Sequence, residues 1–315
     1  MTEKNRKIKQ KKEVEQMLRS LYSGVSGMKN LQNKMDVVAN NIANVNTTGF
    51  KSSRVLFQDV MSQTTAKAAA PGNGLGGTNA RQIGLGVQTG AIDVNMAVGA
   101  PQTTGRSMDF YLSGPGYFMV RGAGNDANAT VYYTRDGAFV RDSDGNVVNS
   151  NGMKLLADML DSPVEFTDDF DAEQAFTVDN LEGLKPVNIP ASLPGDETAL
   201  YSAMTIDQNG LITAKYGNKV YVMGKLKVAA FNNPEGLEKV GGNNYIPTNN
   251  SGDVMVTNIG DRGTGQLNAG FLEMSNVDLA TEFTDMIIAN RAYQANSRSI
   301  TTSDEMLQEL INLKR

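Results

Sequence analysis

The chain has no histidine, no cysteine and no tryptophan in 315 residues, and only nine prolines. Without histidine there is no Ser-His-Asp or Cys-His mechanism, no imidazole ligand for a metal, and none of the side chain most used for proton transfer at neutral pH. Without cysteine there is neither a disulfide framework nor a thiolate metal site. No run of eighteen apolar residues is present, so no membrane-spanning helix and no membrane insertion are expected. No apolar core follows the basic start, so no cleavable signal peptide is expected. A net charge of −5 gives no reason to expect nucleic acid or an anionic membrane as a partner. Catalytic, cofactor-binding and metal residues are therefore all expected to be absent.

What is present is a pair of long apolar repeats, one near each end. Leu272, Leu279, Met286, Tyr293, Ile300 and Leu307 fall seven residues apart, and Phe283 and Ile311 extend the same face. Ser275 and Asn276 offer a helix start, and Asp278 and Glu282 lie where the helix dipole favours acids. Lys314 and Arg315 lie at the opposite pole. No Pro or Gly interrupts the run after Phe271, so a helix of about 55–60 Å is expected. Near the other end Leu21, Met28, Met35 and Ile42 repeat with the same spacing, with Leu31, Val38 and Val45 beside them. Heptad-like helices pack lengthwise, so the two are expected to pair. Gln32, Asn290, Ser297 and Asp304 interrupt the seams. The ten residues Leu21, Met28, Met35, Ile42, Leu279, Phe283, Met286, Tyr293, Ile300 and Leu307 are the candidate assembly positions. The bland alternative is an amphipathic helix lying on its own domain's core.

Residues 1–16 form a charged prefix. It reads as a basic arm, a solvated helix extension or a disordered tail, and the patterned sequence begins at Met17. Asn40, Asn41, Asn44 and Asn46 crowd the end of the first helix and read as a helix stop. Residues 62–90 are small and Gly-rich and read as a connector. Gly72, Gly74 and Gly77 match a dinucleotide-binding spacing, but neither a strand nor a helix flanks them. Phe110 to Leu156 reads as short strands separated by Asp136-Gly137, Asp144-Gly145 and Asn151-Gly152 turns. Asp142, Asp144 and Asn146 imitate a calcium loop, but Met153 stands where its last ligand should be, so a hairpin turn is preferred. Asp161 to Leu200, with Asp168, Asp169, Asp171 and Glu173, is expected to be a loop or small hairpin. Gly260 to Gly270 reads as a second hinge.

The stretch "LYSGVSGMKNLQNKMDVVANNIANVNTTGFKSSRVLFQDV" resembles the amino-terminal signature of bacterial flagellar axial proteins, the rod and hook subunits. Its core is "ANNIANVNTTGFK". The segment "SNVDLATEFTDMIIANRAYQANSRSITTSDEMLQELINLKR" resembles the matching carboxyl end, and "TTSDEMLQELINLKR" is nearer to hook than to distal rod subunits. The fold class expected is α+β. Residues 17–61 with 271–315 would form a helical assembly domain, and residues 91–270 a mainly antiparallel β outer domain expected to fold by itself.

The resemblance implies a structural subunit, not an enzyme, that polymerises with copies of itself into the hook, a flexible tubular joint between rod and filament. It further implies contacts with rod, hook-cap and hook–filament junction proteins, and export through the flagellar type III apparatus to an extracellular position. The alternatives are the distal rod, a stiff shaft, and a secreted carboxylate-based cell-wall enzyme. The enzyme would need two carboxylates about 5–10 Å apart in a cleft.

Overall fold

The computed structural model describes residues 3–71, 76–122, 130–166, 176, 180–193, 196–261 and 263–312. The acidic cluster 168–173, Gly72 and Gly74, and the terminal Lys314 and Arg315 lie outside the described residues. The chain is α+β, with a helix at each end and mostly antiparallel strands between. It divides into two compact units: Met1–Ala43, Ser53–Asn95 and Val277–Arg315 form the first, and Asn44–Ser52 with Met96–Asn276 the second. The backbone therefore passes between units four times.

The first unit is a helix pair with a β ribbon. Helix α1 spans Glu3–Ala43 and helix α2 spans Leu279–Asn312. They run antiparallel, since Gly24 lies beside Ile300 while Lys34 pairs with Asp285 at 3.3 Å. Their closest approach is set by missing side chains. A Cβ on Gly24 would stand 3.1 Å from Ile300, and one on Gly27 2.8 Å from Asn296. Interhelical distance follows the size of the residues at the contact, so two glycines draw the axes together. Helix α2 begins at Leu279 rather than at Ser275. Asp278 takes the cap, accepting hydrogen bonds from the Ala280 N–H and the Thr281 hydroxyl at 3.0 and 2.9 Å.

Strand β1 (Ser53–Asp59), in the segment assigned to the helical assembly domain, pairs antiparallel with β4 (Val87–Val94), which starts within the 62–90 stretch read as a connector. Inside that stretch β2 (Gln63–Ala66) pairs with β3 (Arg81–Ile83). Small polar residues conceal the β2–β3 pairing, because those strands have no apolar alternation to read. Both strands are exposed.

The second unit is built on a large antiparallel sheet. In chain order come β5 (Pro101–Thr103), β6 (Phe110–Leu112), β7 (Tyr117–Arg121), β8 (Val131–Thr134), β9 (Phe139–Arg141), β10 (Val147–Asn149) and the long β11 (Lys154–Glu165). Next are β12 (Lys185–Pro186), β13 (Ser192–Leu193), β14 (Asp196–Ile206), β15 (Leu211–Tyr216), β16 (Lys219–Lys225) and β17 (Lys227–Ala230). The chain then returns through β18 (Glu238–Gly241), β19 (Asn244–Ile246), β20 (Met255–Asn258), β21 (Leu267–Ala269) and β22 (Phe271–Glu273). The main path of the sheet is β13-β14-β15-β16-β11-β7-β8-β19-β18.

Strand β7 lies inside the sheet between β11 and β8 and is buried on both faces, which explains its apolar run from Tyr117 to Val120. Phe118 and Val120 join a core with Phe110, Phe139, Leu155 and Val228. Tyr117 and Met119 face a second core with Tyr133, Leu156 and Tyr245. Two of the Asx-Gly turns behave as read. Gly145 and Gly152 adopt left-handed φ of 87° and 75°, and the Gly145 N–H closes its turn on the Asp142 carbonyl at 3.0 Å. Leu272 belongs to β22 and pairs with Gln102, so the first member of the seven-residue series lies on a strand and not on the helix.

Candidate assembly surface and joint

The ten candidate positions divide into two groups. Leu21, Met28, Met35, Ile42, Met286, Tyr293, Ile300 and Leu307 are half-buried, whereas Leu279 and Phe283 are exposed. The centre of the seam holds small and polar residues instead: Gly24, Gly27, Asn30, Asn41 and Ala289 are its buried members, with Val38. A heptad search rewards Leu and Met and passes over such positions.

The crowded asparagines do more than stop a helix. Asn41 is buried. Its amide nitrogen donates to the Ser53 carbonyl at 2.8 Å and to Glu282 Oε1 at 2.9 Å, and its oxygen accepts from the Ser53 N–H at 3.0 Å. One side chain thereby imitates a strand neighbour for β1 and fixes the start of α2, satisfying every polar atom it buries. Burial is the larger influence on Glu282 and raises its pKa, against the opposing pull of the Asn41 hydrogen bond. Asn30 plays a parallel part. It donates to the Val87 carbonyl at 2.7 Å and accepts from the Thr89 hydroxyl at 2.8 Å, which fastens α1 to the ribbon.

Within the second unit a buried ionic cluster gathers the segments at which the chain enters and leaves. Lys51 Nζ meets Glu273 Oε1 at 2.5 Å and donates to the Ala97 carbonyl at 2.7 Å. The Gly99 N–H donates to the same carboxylate oxygen at 2.8 Å, and Arg135 Nε stands 3.7 Å from the other oxygen. Arg135 also donates to the Gly114 carbonyl at 2.7 Å. Burial lowers the pKa of Lys51, and the neighbouring Glu273 carboxylate opposes that shift. Burial likewise pushes the Tyr117 phenol up to about 12. Asn276 stitches the same segments: its N–H donates to the Phe50 carbonyl at 3.4 Å, its oxygen accepts from the Ser52 N–H at 2.8 Å, and its amide nitrogen donates to the Ala97 carbonyl at 3.2 Å. Gly49 permits the approach. Its φ is 67°, and a Cβ there would stand 2.8 Å from the backbone nitrogen of Asp136. None of this cluster is evident from sequence spacing, because its partners lie about 20 to 220 residues apart.

On the first unit's surface, Leu18, Tyr22 and Val25 of α1 are exposed, as are Leu279, Phe283, Ile287 and Ile288 of α2. Tyr22 is 67% exposed and Ile287 62%. Large apolar side chains in rows at helical spacing belong to an interaction surface more than to a solvated face. Among the described residues no helix is long and apolar enough to cross a membrane, and no group of three or more acidic residues could hold a metal.

Three family models match the chain. Residues 21–51 match the flagella basal body rod protein model, residues 111–214 the flagellar hook protein FlgE/F/G D1 domain, and residues 268–313 the flagellar basal body rod FlgEFG protein C-terminal model. Among relatives, the flagellar basal-body rod protein FlgG of Bacillus subtilis is 44% identical over 300 residues, covering 95% of this chain and all of that one. The flagellar hook protein FlgE of Borreliella burgdorferi is 31% identical over 446 aligned positions, with 95% of this chain and all of that one covered. The same organism's rod protein FlgG is 34% identical over 303 residues. The chain belongs to the flagellar rod and hook family, FlgE/F/G, and is a structural component of the flagellar basal body or hook.

Proposed function

We propose that this chain is a non-catalytic subunit that polymerises with copies of itself, through α1 and α2, into the flagellar hook, the tubular joint that passes torque from rod to filament. The observation that carries the polymerisation is the apolar surface left uncovered on both terminal helices. The ten seam and flank positions from Leu21 to Leu307 are its assembly residues, and the β unit is the outer part of the tube. Its partners are then other copies, the rod, and the hook-cap and hook–filament junction proteins. Its route is the flagellar type III apparatus, to the cell exterior. The closing segment "TTSDEMLQELINLKR" supports hook over rod.

A second reading, the distal rod, is favoured by length. The FlgG relative of Bacillus subtilis aligns end to end over 300 residues, whereas the 446-position alignment with the hook protein exceeds this chain's 315 residues by 131. The paired ribbon in residues 53–94 also gives the subunit a stiffer element than a free connector. Electron microscopy of polymers of the purified chain, and of flagella in a null strain carrying it, tests both readings. Curved tubes of the hook's place and length support the first, straight shafts inside the basal body support the second, and no polymer contradicts both.

A further inference from the structure

Four junctions of an Asp or Asn with a following Gly lie among the described residues: Asp136-Gly137, Asp144-Gly145, Asn151-Gly152 and Asn209-Gly210. They are not equally confined. A Cβ placed on Gly137 would run into the Phe110 carbonyl, and one on Gly145 into the Ile189 carbonyl. One on Gly210 would stand 2.8 Å from the Leu226 carbonyl oxygen and 2.7 Å from Ile259 Cδ1. The carbonyls of the same three glycines accept hydrogen bonds from the N–H groups of Phe110, Ile189 and Leu226, at 3.0, 2.7 and 2.7 Å. Gly152 differs on both counts. Nothing lies within 4 Å of its Cβ position, and among the described residues no N–H reaches its carbonyl. It is held by its own N–H, which donates to the Asn149 carbonyl at 3.0 Å.

Asn151 itself is exposed. Its amide nitrogen donates to the Gly242 carbonyl at 3.3 Å, in the turn that joins β18 to β19, and a Cβ on Gly242 would stand 2.5 Å from that nitrogen. The same turn carries Asn243. Its amide nitrogen donates to the Thr48 carbonyl at 2.8 Å, and its own carbonyl accepts from the Thr134 hydroxyl at 2.9 Å. The bridge between the two turns is thus a single primary amide, which can donate only while it remains an amide.

We propose that Asn151 is a self-modification site, which deamidates in the folded chain to aspartate and isoaspartate ahead of Asn209. The Gly152 nitrogen attacks Asn151 Cγ, and the new C–N bond closes a five-membered succinimide. The proton of that nitrogen passes to the amide nitrogen, which leaves as ammonia. Water, the only co-reactant, then opens the ring at either carbonyl. One opening gives aspartate, and the other gives isoaspartate, with the backbone routed through the side chain. To bring the nitrogen onto Cγ the chain must rotate about the Asn Cα–C bond, and the glycine moves with it. Both Gly152 and Gly210 then give up the turn bond of their own N–H, to Asn149 and Asp207 respectively. Gly210 must also give up its bond from Leu226 and press against Ile259, whereas Gly152 moves into open space. Either product places a carboxylate where the amide donated to Gly242, so two acceptors face each other and the bridge between the turns is lost.

Peptide mapping by mass spectrometry tests this on the full-length chain, aged in mildly alkaline buffer both native and in denaturant. Each site's native rate is divided by its own rate in denaturant, which removes differences in intrinsic reactivity. The ratio for Asn151 is expected to exceed that for Asn209 about tenfold, the effect of one more backbone hydrogen bond in the barrier at Gly210. The full-length Asn151→Asp variant supplies the aspartate product in uniform form. Its Gly242 and Asn243 amides are expected to exchange faster than the parent's, with exchange in β7 unchanged. Equal ratios at the two sites, a larger ratio at Asn209, or an Asn151 that stays intact in the native chain while the denatured chain converts would overturn the proposal. Exchange at Gly242 and Asn243 identical to the parent's would overturn the loss of the bridge.

Discussion

The ammonium of Lys51 and the carboxylate of Glu273 meet at 2.5 Å, 222 positions apart in sequence, with 1% of either side chain exposed. This pair closes the second unit, since Lys51 comes from the short entering segment 44–52 and Glu273 from the last strand before the chain leaves. Two charges in such a place hold their position only while both are present, because removal of either strands the other in a low-dielectric site.

Lys51→Met is therefore expected to destabilise the second unit by about 3–5 kcal/mol, the usual cost of breaking a buried pair. The double variant Lys51→Met with Glu273→Gln, whose amide oxygen still accepts from the Gly99 N–H, is expected to lose less than the sum of the two single changes. Denaturant melts followed by tyrosine fluorescence measure both. Additive effects of the two changes would show that the pair is not coupled.

The same pair sets the limits of the folded unit. A fragment of residues 91–268 lacks both Lys51 and Glu273 and leaves Arg135 without its carboxylate. It is expected to be unfolded or aggregated, while a fragment of residues 44–276 melts in one cooperative transition. Calorimetry on the two fragments decides this, and equal melting of both would remove the cluster from the account.

Asn41→Ala removes three hydrogen bonds at once and leaves the backbone of Ser53 without its side-chain partner. A loss of about 1–3 kcal/mol is expected in the first unit, with faster amide exchange at the end of α1 and in β1. The exposed neighbour Asn40→Ala serves as the comparison, with a much smaller effect. Equal effects at the two positions would mean that Asn41 is merely part of a helix stop.

Asp278 gives a pH signature. Hydrogen bonds from the Thr281 hydroxyl and the Ala280 N–H lower its pKa below the ordinary Asp value. A carboxyl depressed in the folded state stabilises that state above the ordinary value, about 3.9, and loses the contribution as pH falls through the depressed one. The first turn of α2 is accordingly expected to fray in acid. NMR shifts of the Ala280 and Thr281 amides should follow the Asp278 titration and lose that step in Asp278→Ala. A step that persists in the variant would assign the titration to another group.

Much of this was legible in the sequence, for stated reasons. Helices show themselves through local periodicity, so the Leu21–Ile42 and Leu279–Leu307 repeats marked α1 and α2. Tight turns show themselves through residues that tolerate left-handed φ, so Asp144-Gly145 and Asn151-Gly152 marked hairpins. Pairing between distant segments leaves no local trace. Strands β2 and β3 are about 15 residues apart and carry Gln, Thr, Ala and Arg, so they read as part of a linker. Leu272 matched the seven-residue count by coincidence of spacing, and only its pairing with Gln102 places it on a strand. Lys51 was invisible as a core residue because a lysine is expected outside unless its partner is known, and its partner lies near the other end of the chain.

Side-chain footprinting shows whether copies join through the exposed apolar residues of α1 and α2. Tyr22 and Phe283 are exposed in the single chain and should react readily with hydroxyl radicals. In the polymer both are expected to lose most of that reactivity together, with Tyr133 of the inner core unreactive throughout. Tyr22 and Phe283 reacting as fast in the polymer as in the monomer would contradict the account.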